Sequence, residues 1–370
     1  MKVSLRLVAV ILLALLPTRL PAQTAKPTPP PKAGGLAVTT SDTPPSGAKK
    51  AEIKDLRVLG GKEQELDPYQ LERVAVSFAQ SGDLEKARQL FEQSWKLGQL
   101  PSALFNIACL DVRQGKNDAA YRQLDRAIAA GFDDEPMLAS DADLAPIRSS
   151  SRFQGVVAGA RKNAAAGDAA VVREGSFLAP TGKPVGILVL FHDASSDPLS
   201  IASPFLAGAR ARGLFVAAPR GPSKAGKKRF GWGSPERATA AVALAIREAR
   251  KRVGNLPVVA AGVGRGGMVA TYFAATQPGI LAGAATIGGP FDLRWIRSEA
   301  AATALKGTRL FLGVSLGTDA QRLQAFRQGR DGLKSAGVNA GYAEWPGTGD
   351  GLPTNVGKAV DEVLTALLGR

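Results

Sequence analysis

The sequence has very little of the side-chain chemistry that metal binding and disulfide formation require. Its 370 residues include one cysteine and one histidine. A single cysteine, Cys109, excludes an intrachain disulfide, and one cysteine with one histidine cannot build a transition-metal site from ordinary ligands. We therefore expect no metal and no cofactor. Cys109 lies in the apolar stretch NIACL and is predicted to be a buried core residue.

Aromatic residues are also scarce, and acidic residues are outnumbered by basic ones. Aromatics make up 6% of the chain, which leaves few platforms for stacking bases, so we expect no nucleic-acid partner. The formal net charge is +15. Residues 23–169 carry 19 basic and 19 acidic residues, whereas residues 170–370 carry 25 and 13. The basic C-terminal part predicts attraction to an anionic ligand, an envelope polymer or lipid headgroups.

The N-terminus has the pattern of an export signal. Lys2 and Arg6 precede the apolar run Leu7–Leu16, and small residues follow as far as Ala22. The run is shorter than the roughly 20 residues that span a bilayer, so residues 1–22 are predicted to be a cleaved signal peptide, with an uncleaved anchor as the alternative. The protein is then exported, either periplasmic or secreted. Residues 23–66, rich in proline, threonine and glycine, are predicted to be a disordered linker.

Residues 67–165 are predicted to form an all-α array with an internal repeat. Apolar residues recur at helical spacing on both sides of Gly82 and again of Gly115, 33 residues later. This resembles the tetratricopeptide repeat, although Asp111 stands where that family usually has an aromatic. The resemblance implies a groove for a protein or peptide, and a packing module is the alternative. Capping helices are expected over 131–165, with a hinge at Lys162–Asp168.

Residues 170–370 alternate between apolar strand-like runs and helical segments. Strands are predicted at 171–178, 185–191, 214–218, 281–288, 309–314 and 338–345, and helices at 199–212, 235–253, 320–336 and 355–368. Such alternation predicts an α/β domain with a parallel sheet covered on both faces.

The glycine-rich junction Pro257–Met268 lies at the centre of this domain. Its pattern predicts a strand, a tight turn and a helix. Two kinds of site use such a turn, a dinucleotide-binding loop and a nucleophile elbow. Gly262, Gly264 and Gly267 match the dinucleotide fingerprint G-x-G-x-x-G. Gly262 and Gly266 match the nucleophile elbow G-x-S-x-G, with Gly264 where the serine would be. The fingerprint normally follows the first strand and has an acidic residue about 20 positions later, and neither condition holds here.

Four further segments resemble the α/β-hydrolase family. His192–Asp193 follows a strand where the family has its His-Gly oxyanion turn, and the others are APRGP at 218–222, FGWGSPERA at 230–238 and WPGTGDGLP at 345–353. These segments are similar to the branch of esterases, phospholipase/carboxylesterases and dienelactone-hydrolase-like proteins. The resemblance covers about 200 residues and implies a hydrolase-like domain preceded by the tetratricopeptide-like array.

The catalytic positions implied by this resemblance depart from the family. Gly264 stands at the nucleophile position and Asp350 at the general-base position, while Asp319 is the candidate for the acid position. A triad needs an attacking oxygen and an imidazole, so we expect no hydrolysis. His192 lies on the oxyanion turn, on the wrong loop for a base. The alternative is a cryptic esterase that uses a hydroxyl after His192, although no base is expected beside it.

A binding pocket can remain in a protein that lacks the catalytic triad. Ligands of open α/β sheets lie beyond the carboxyl ends of the strands, and the helix that begins near Arg265 points its positive end there, above Gly264. The chain is thus predicted to be an exported, non-catalytic binding or scaffolding protein. The candidate pocket residues are His192, Asp193 and Arg265, and the candidate ligand-binding residues are Arg220, Trp232, Lys224, Lys227, Lys228 and Arg229.

Overall fold

The computed structural model describes residues 68–194, 196–289, 299–318, 320–347, 349 and 351–369. The predicted signal peptide and linker lie outside these residues, as do Asp319 and Asp350. Within the described residues, no helix combines the length and the apolar character that crossing a membrane requires.

The N-terminal part consists of two helical hairpins in succession. Gly82 and Gly115 stand at the hairpin turns with φ of 90° and 71°, a backbone region that suits glycine. Small or apolar residues such as Ala75, Ala87 and Ala108 are fully buried where the helices cross. The two sequence units are therefore helical hairpins, while their assignment to the tetratricopeptide family stays a prediction. The four helices are α1 (Pro68–Gln80), α2 (Leu84–Gly98), α3 (Pro101–Arg113) and α4 (Asn117–Ala130).

Asp111 occupies the position where the repeat usually has an aromatic. Its side chain is almost completely buried, and it pairs with Arg88 of α2 across the hairpin interface, with 2.5 Å between Nη2 and Oδ1. A nearly buried ion pair thus joins the two repeat units at this point.

Two more helices follow the hairpins, and the second one corrects the predicted hinge. They are α5 (Glu135–Ser140) and α6 (Ser151–Arg173). Helix α6 runs without a break through Lys162–Asp168, so the hinge prediction was wrong. Gly167 does not loosen the helix but permits close packing, because a Cβ there would lie 1.9 Å from the Pro222 carbonyl oxygen. The predicted strand over 171–178 is likewise too long, since its first residues belong to α6.

A seven-stranded sheet forms the centre of the C-terminal part, in the order β1-β3-β2-β6-β7-β8-β9. Strand β1 pairs antiparallel with β3, and all the other pairs are parallel. A short hairpin of two strands, β4 and β5, with two residues in each, forms a separate small sheet. The strands are β1 (Ser176–Leu178), β2 (Gly186–Phe191), β3 (Leu214–Ala218), β4 (Ser223–Lys224), β5 (Phe230–Gly231), β6 (Val258–Val263), β7 (Gly283–Ile287), β8 (Arg309–Ser315) and β9 (Ala340–Trp345).

Helices cover the sheet on both faces. Every residue of β2, β3 and β7 is buried, which explains why these strands read as continuous apolar runs and not as alternating ones. Helices α8 to α11 pack on one face and α7 and α12 on the other. These helices are α7 (Pro198–Ala211), α8 (Pro235–Val253), α9 (Arg265–Thr276), α10 (Glu299–Lys306), α11 (Ala320–Ser335) and α12 (Val356–Leu368).

The layered architecture, the strand order with its antiparallel first strand, and the sharp turn between β6 and α9 together match an α/β-hydrolase fold. The fold class predicted from the sequence is confirmed, and the predicted strands agree with the observed ones to within two residues apart from that over 171–178.

The helical array packs directly on the α/β part through Arg237 of α8. Its guanidinium pairs with Asp133, at 2.8 Å from Nη1 to Oδ2, and with Asp168 of α6, at 2.9 Å from Nη2 to Oδ1. It also donates to the carbonyl oxygens of Ala164 and Pro222. One side chain of the α/β part thus ties together the α4–α5 connection and helix α6.

Candidate functional site at the elbow

The turn between β6 and α9 keeps the backbone geometry of a nucleophile elbow. Gly264 has φ 54° and ψ −124°, in the positive-φ half of the map that side chains avoid. Its N–H donates to the carbonyl oxygen of Ile287 at 2.9 Å, which holds the turn against β7. In a nucleophile elbow, a serine at this point is carried on a strained backbone. With glycine, the same turn forms without that strain.

The other glycines of the turn allow α9 to approach the sheet closely. A Cβ on Gly262 would lie 2.2 Å from the backbone of Gly266, and one on Gly266 would lie 2.1 Å from the carbonyl oxygen of Phe191. A Cβ on Gly267 would lie 2.2 Å from the Thr286 hydroxyl. Helix-to-strand packing therefore accounts for all three glycines, which favours the elbow interpretation over the dinucleotide interpretation.

The carboxylate of Asp193 occupies the space beside Gly264 where a nucleophile would stand. A Cβ on Gly264 would lie 2.1 Å from Oδ1, 2.4 Å from Cγ and 2.8 Å from Oδ2 of Asp193. Oδ1 accepts two backbone hydrogen bonds, from Arg265 N at 2.8 Å and from Ala194 N at 2.7 Å. One amide is the first after the elbow residue and the other follows β2. These are the two positions from which this fold builds its oxyanion hole.

The Asp193 carboxyl group therefore lies at the two amides from which this fold builds its oxyanion hole. Burial raises the pKa of its carboxyl group, and the two amide hydrogen bonds and the charges of Arg322 and Arg265 oppose that rise. The N-terminal end of α9 carries a partial positive charge, so a carboxylate on its first N–H also stabilises the helix.

The position of Asp193 bears on the expected pocket above Gly264. The sequence predicts room there for a ligand, with the positive end of α9 pointing at it. In the structure the Asp193 carboxyl group takes the part of that room directly beside Gly264 and accepts from the first N–H of α9, while a pocket around it stays a prediction. The sequence held a signal for this, since the family's glycine on the oxyanion turn is replaced by Asp193 and its serine at the elbow is replaced by Gly264. The carboxyl group on one loop and the absence of a side chain on the other therefore go together.

His192 is a structural residue, as its place on the oxyanion turn predicts. It is completely buried, and both ring nitrogens are engaged. Nε2 accepts from the Gly221 N–H at 2.9 Å, and Nδ1 therefore carries the proton and donates to the Asp193 carbonyl oxygen at 2.7 Å. Burial lowers the pKa of His192 to about 4, so the ring is neutral at pH 7. The single imidazole of the chain is thus committed to joining two loops.

Trp232 and Arg220, predicted as ligand-binding residues, are buried and partnered within the fold. The indole N–H of Trp232 donates to the His192 carbonyl oxygen at 2.9 Å, and its ring packs against Phe191 and the imidazole. Arg220 lies over the Phe230 ring and pairs with Glu174 at 2.7 Å.

The basic loop that contains Lys224, Lys227, Lys228 and Arg229 faces the helical array. Its backbone joins the array twice: the Tyr69 hydroxyl donates to the Ala225 carbonyl oxygen at 2.5 Å, and the Lys227 N–H donates to the Gly98 carbonyl oxygen at 3.4 Å. The stem of Lys224 packs over Gly131 at the end of α4. The loop therefore connects the two parts of the molecule, a role its charge does not predict. Its four charged ends remain exposed, so anion binding there stays a prediction.

The remaining predicted positions give no catalytic group among the described residues. The Ser196 hydroxyl bonds to the Ser200 hydroxyl at 2.5 Å, within the first turn of α7. Ser195 lies outside the described residues, as do Asp319 and Asp350. The side chain of Arg265 is exposed, and only its backbone N–H takes part in the site.

Comparison with known proteins finds limited similarity, and only to solved structures. No family model and no curated protein matches the sequence. Among solved structures, an uncharacterized protein from Bacillus cereus ATCC 10987 is 15% identical, with a TM-score of 0.44 over 82% of this chain and 99% of that one. Acyl-protein thioesterase 2 of Zea mays is 17% identical, with a TM-score of 0.43 over 53% and 99%. A carboxyl esterase of Bacillus coagulans is 13% identical, with a TM-score of 0.44 over 53% and 93%. The fold assignment above rests on the strand order and elbow of this chain.

Proposed function

We propose that this chain is an exported binding protein built on an α/β-hydrolase fold and does not hydrolyse esters. The observation that carries the proposal is the position of the Asp193 carboxylate. It uses both oxyanion-hole amides and takes the volume of the missing nucleophile. Oxyanion stabilisation is usually the largest single contribution to acyl transfer, and here it is directed at a resident side chain.

Two further features support the absence of hydrolysis. Gly264 has no attacking atom, and the only histidine of the chain is buried with both nitrogens bonded. A serine hydrolase needs a nucleophile and a base within hydrogen-bond reach of each other. A chain that lacked only the serine would leave the two oxyanion-hole amides without a side-chain acceptor, whereas in this chain Asp193 binds both.

The helical array is proposed to have two roles. One face of it holds the basic loop and α8, as a packing module does. The other role is contact with a protein or peptide partner, which the tetratricopeptide resemblance implies, and Val76 and Leu97 are exposed apolar side chains on the array. Export to the periplasm or beyond, through the N-terminal signal, is part of the same proposal.

The test compares three purified proteins: the unaltered chain, Asp193→Asn and Asp193→Gly. Each is incubated with a fluorophosphonate probe and with short-chain p-nitrophenyl esters. We expect no labelling and hydrolysis no faster than in buffer for all three, because opening the hole does not supply a nucleophile. Turnover by the unaltered chain that disappears in Asp193→Asn would contradict the proposal and identify Asp193 as a nucleophile. Turnover retained by both variants would instead favour a cryptic serine.

A further inference from the structure

On the face of the sheet that carries α8 and α9, a groove has an apolar floor and a basic rim. It lies between the C-terminal half of α8 and helix α9 with the loop that follows it, and its cavity volume is about 440 Å³. This falls within the range of pockets that hold small ligands, about 300–1,000 Å³. The lining residues are Ala243, Ile246, Arg247, Arg250, Lys251, Phe273 and Ile280.

The floor of the groove is already part of the core. Ile246 and Phe273 are buried in the cluster under α8 and α9, and Ile280 packs against the same cluster. The apolar lining therefore does not collapse or move away, since it is fixed by the sheet below. A flexible alkyl chain that lies along this floor is held there because it removes apolar surface from water.

The basic rim holds a donor that the protein leaves without an acceptor. The Nε atom of Arg250 is buried and has no hydrogen-bond partner among the described residues. A buried unpaired donor is costly, and those in native proteins call for an explanation. Lys251 is different, because Glu248 lies 3.7 Å from its amine and also pairs with Arg252. The buried Nε of Arg250 is out of a ligand's reach, so Arg247 and the terminal nitrogens of Arg250 are the groups that remain to meet an anion.

Basic residues near the end of a helix also complement its negative end, and that effect accounts for charge at this place. It does not account for a buried guanidinium nitrogen beside an apolar floor. A guanidinium matches a carboxylate in a two-point contact, with Arg247 one turn earlier on the same helix as a second cation.

We propose that this groove binds a single-chain fatty acid, with its carboxylate on Arg250 and Arg247 and its alkyl chain over Ile246, Phe273 and Ile280. The small volume favours one alkyl chain over a two-chain membrane lipid, and the concave shape favours a small molecule over a protein surface. The proposal does not depend on Asp193 or on the fate of ester hydrolysis.

The test is calorimetric titration of the full chain with sodium decanoate below its micelle concentration. We expect saturable binding of one decanoate per chain. Arg250→Gln and Arg247→Gln each weaken it about tenfold or more, since each removes a charge-assisted contact. Ala243→Trp, an exposed position on the rim, blocks the groove. Arg210→Gln, an exposed arginine on α7 across the sheet, is the matched control and binds like the unaltered chain.

The other arms of the experiment decide against the proposal. If decanol binds as tightly as decanoate, the arginines do not recognise the carboxylate. Equal affinity in Arg250→Gln, Ala243→Trp and Arg210→Gln would place the ligand elsewhere. Binding only to anionic phospholipid vesicles, with no saturation by free decanoate, would overturn it in favour of a membrane surface. Ala243→Trp keeps the test decisive even if Arg250→Gln fails to fold.

Discussion

Two neighbouring residues control the chemistry of the elbow. Gly264 and Asp193 stand where an esterase of this fold has a serine and a glycine, and each makes sense only with the other. A side chain at 264 would meet the carboxylate at 193, and without that carboxylate the two amides would be left without a side-chain acceptor. A side chain introduced at position 264 is therefore expected to require a change at position 193 as well.

Gly264→Ser is expected to lower the free energy of unfolding by about 3 kcal/mol. The change adds a Cβ at a positive φ, and it also overpacks the site against Asp193. In the Asp193→Gly background the same change should cost about half as much, because only the backbone strain remains. Urea unfolding of the two single variants and the double variant measures this coupling. Additive effects would show that the serine and the carboxylate do not compete for the same space.

His192 should make the stability of the protein fall in mild acid. Its pKa is about 4 in the folded state, against about 6.5 when unfolded, so the unfolded state binds a proton first as the pH falls. The resulting stability is complete above pH 6.5 and is lost as the pH falls from 6.5 toward 4. Between pH 7.5 and pH 5 the loss is about 2 kcal/mol.

The matched variant for that measurement is His192→Gln, whose side-chain oxygen can still accept from the Gly221 N–H. Unfolding free energies at pH 7.5 and pH 5 should differ by about 2 kcal/mol less in the variant than in the unaltered chain. An identical pH dependence would mean that the imidazole titrates normally and is not buried as described. Asp197 and Arg220 also act on this pKa, in opposite directions, and both remain in the comparison.

At the scale of elements, the contact between α8 and the helical array depends on one nearly buried ion pair. Burial raises the pKa of Asp133, and the hydrogen bond and charge of Arg237, with a hydrogen bond from Ser223, oppose part of that rise. Arg237→Met should therefore destabilise the protein by about 3 kcal/mol, because it leaves a buried carboxylate without its cation. Adding Asp133→Asn should recover part of the loss.

The control for this prediction is Arg327→Met. Arg327 makes an equally direct two-point contact with Glu344, at 2.8 Å for each bond, but it lies half exposed on α11. Removing an exposed pair costs little stability, because water and salt screen its charges. Thermal or urea unfolding ranks the two variants, and equal losses would show that burial at the array contact does not matter.

At the scale of the whole molecule, the array and the α/β part are expected to open together. Helix α6 belongs to both, and Arg237, Tyr69 and the basic loop tie the remaining helices to it. Hydrogen exchange of amides in α3 and in β6 should then report the same opening free energy and the same dependence on denaturant.

The companion variant for this measurement is Tyr69→Phe with Arg237→Met, which should let α1–α4 open at a lower free energy than the sheet. Separate openings in the unaltered chain would mean that the contacts seen here are too weak to couple the two parts.

Much of this architecture is determined locally and can be predicted from the sequence. The all-apolar runs at Gly186–Phe191 and Leu214–Ala218 must lie inside a covered parallel sheet, because both faces of each strand avoid water. The turns at Gly82 and Gly115 end one helix and begin the next. The elbow can be predicted from the sequence because only glycines permit α9 to lie so close to the strands beneath it. Local pattern failed at Lys162–Asp168, where a close contact, and not flexibility, explains the glycine.

What the tertiary structure alone decided is which partner each polar group meets. Asp193 and Arg265 are 72 positions apart in the chain, and Asp133 and Arg237 are 104 apart. No local rule pairs them, since the folded sheet brings their elements together. The sequence places Gly264 and Asp350 where the resemblance implies a serine and a histidine. Only the fold showed that the Asp193 carboxyl group lies beside Gly264, because that contact depends on neighbours from distant parts of the chain.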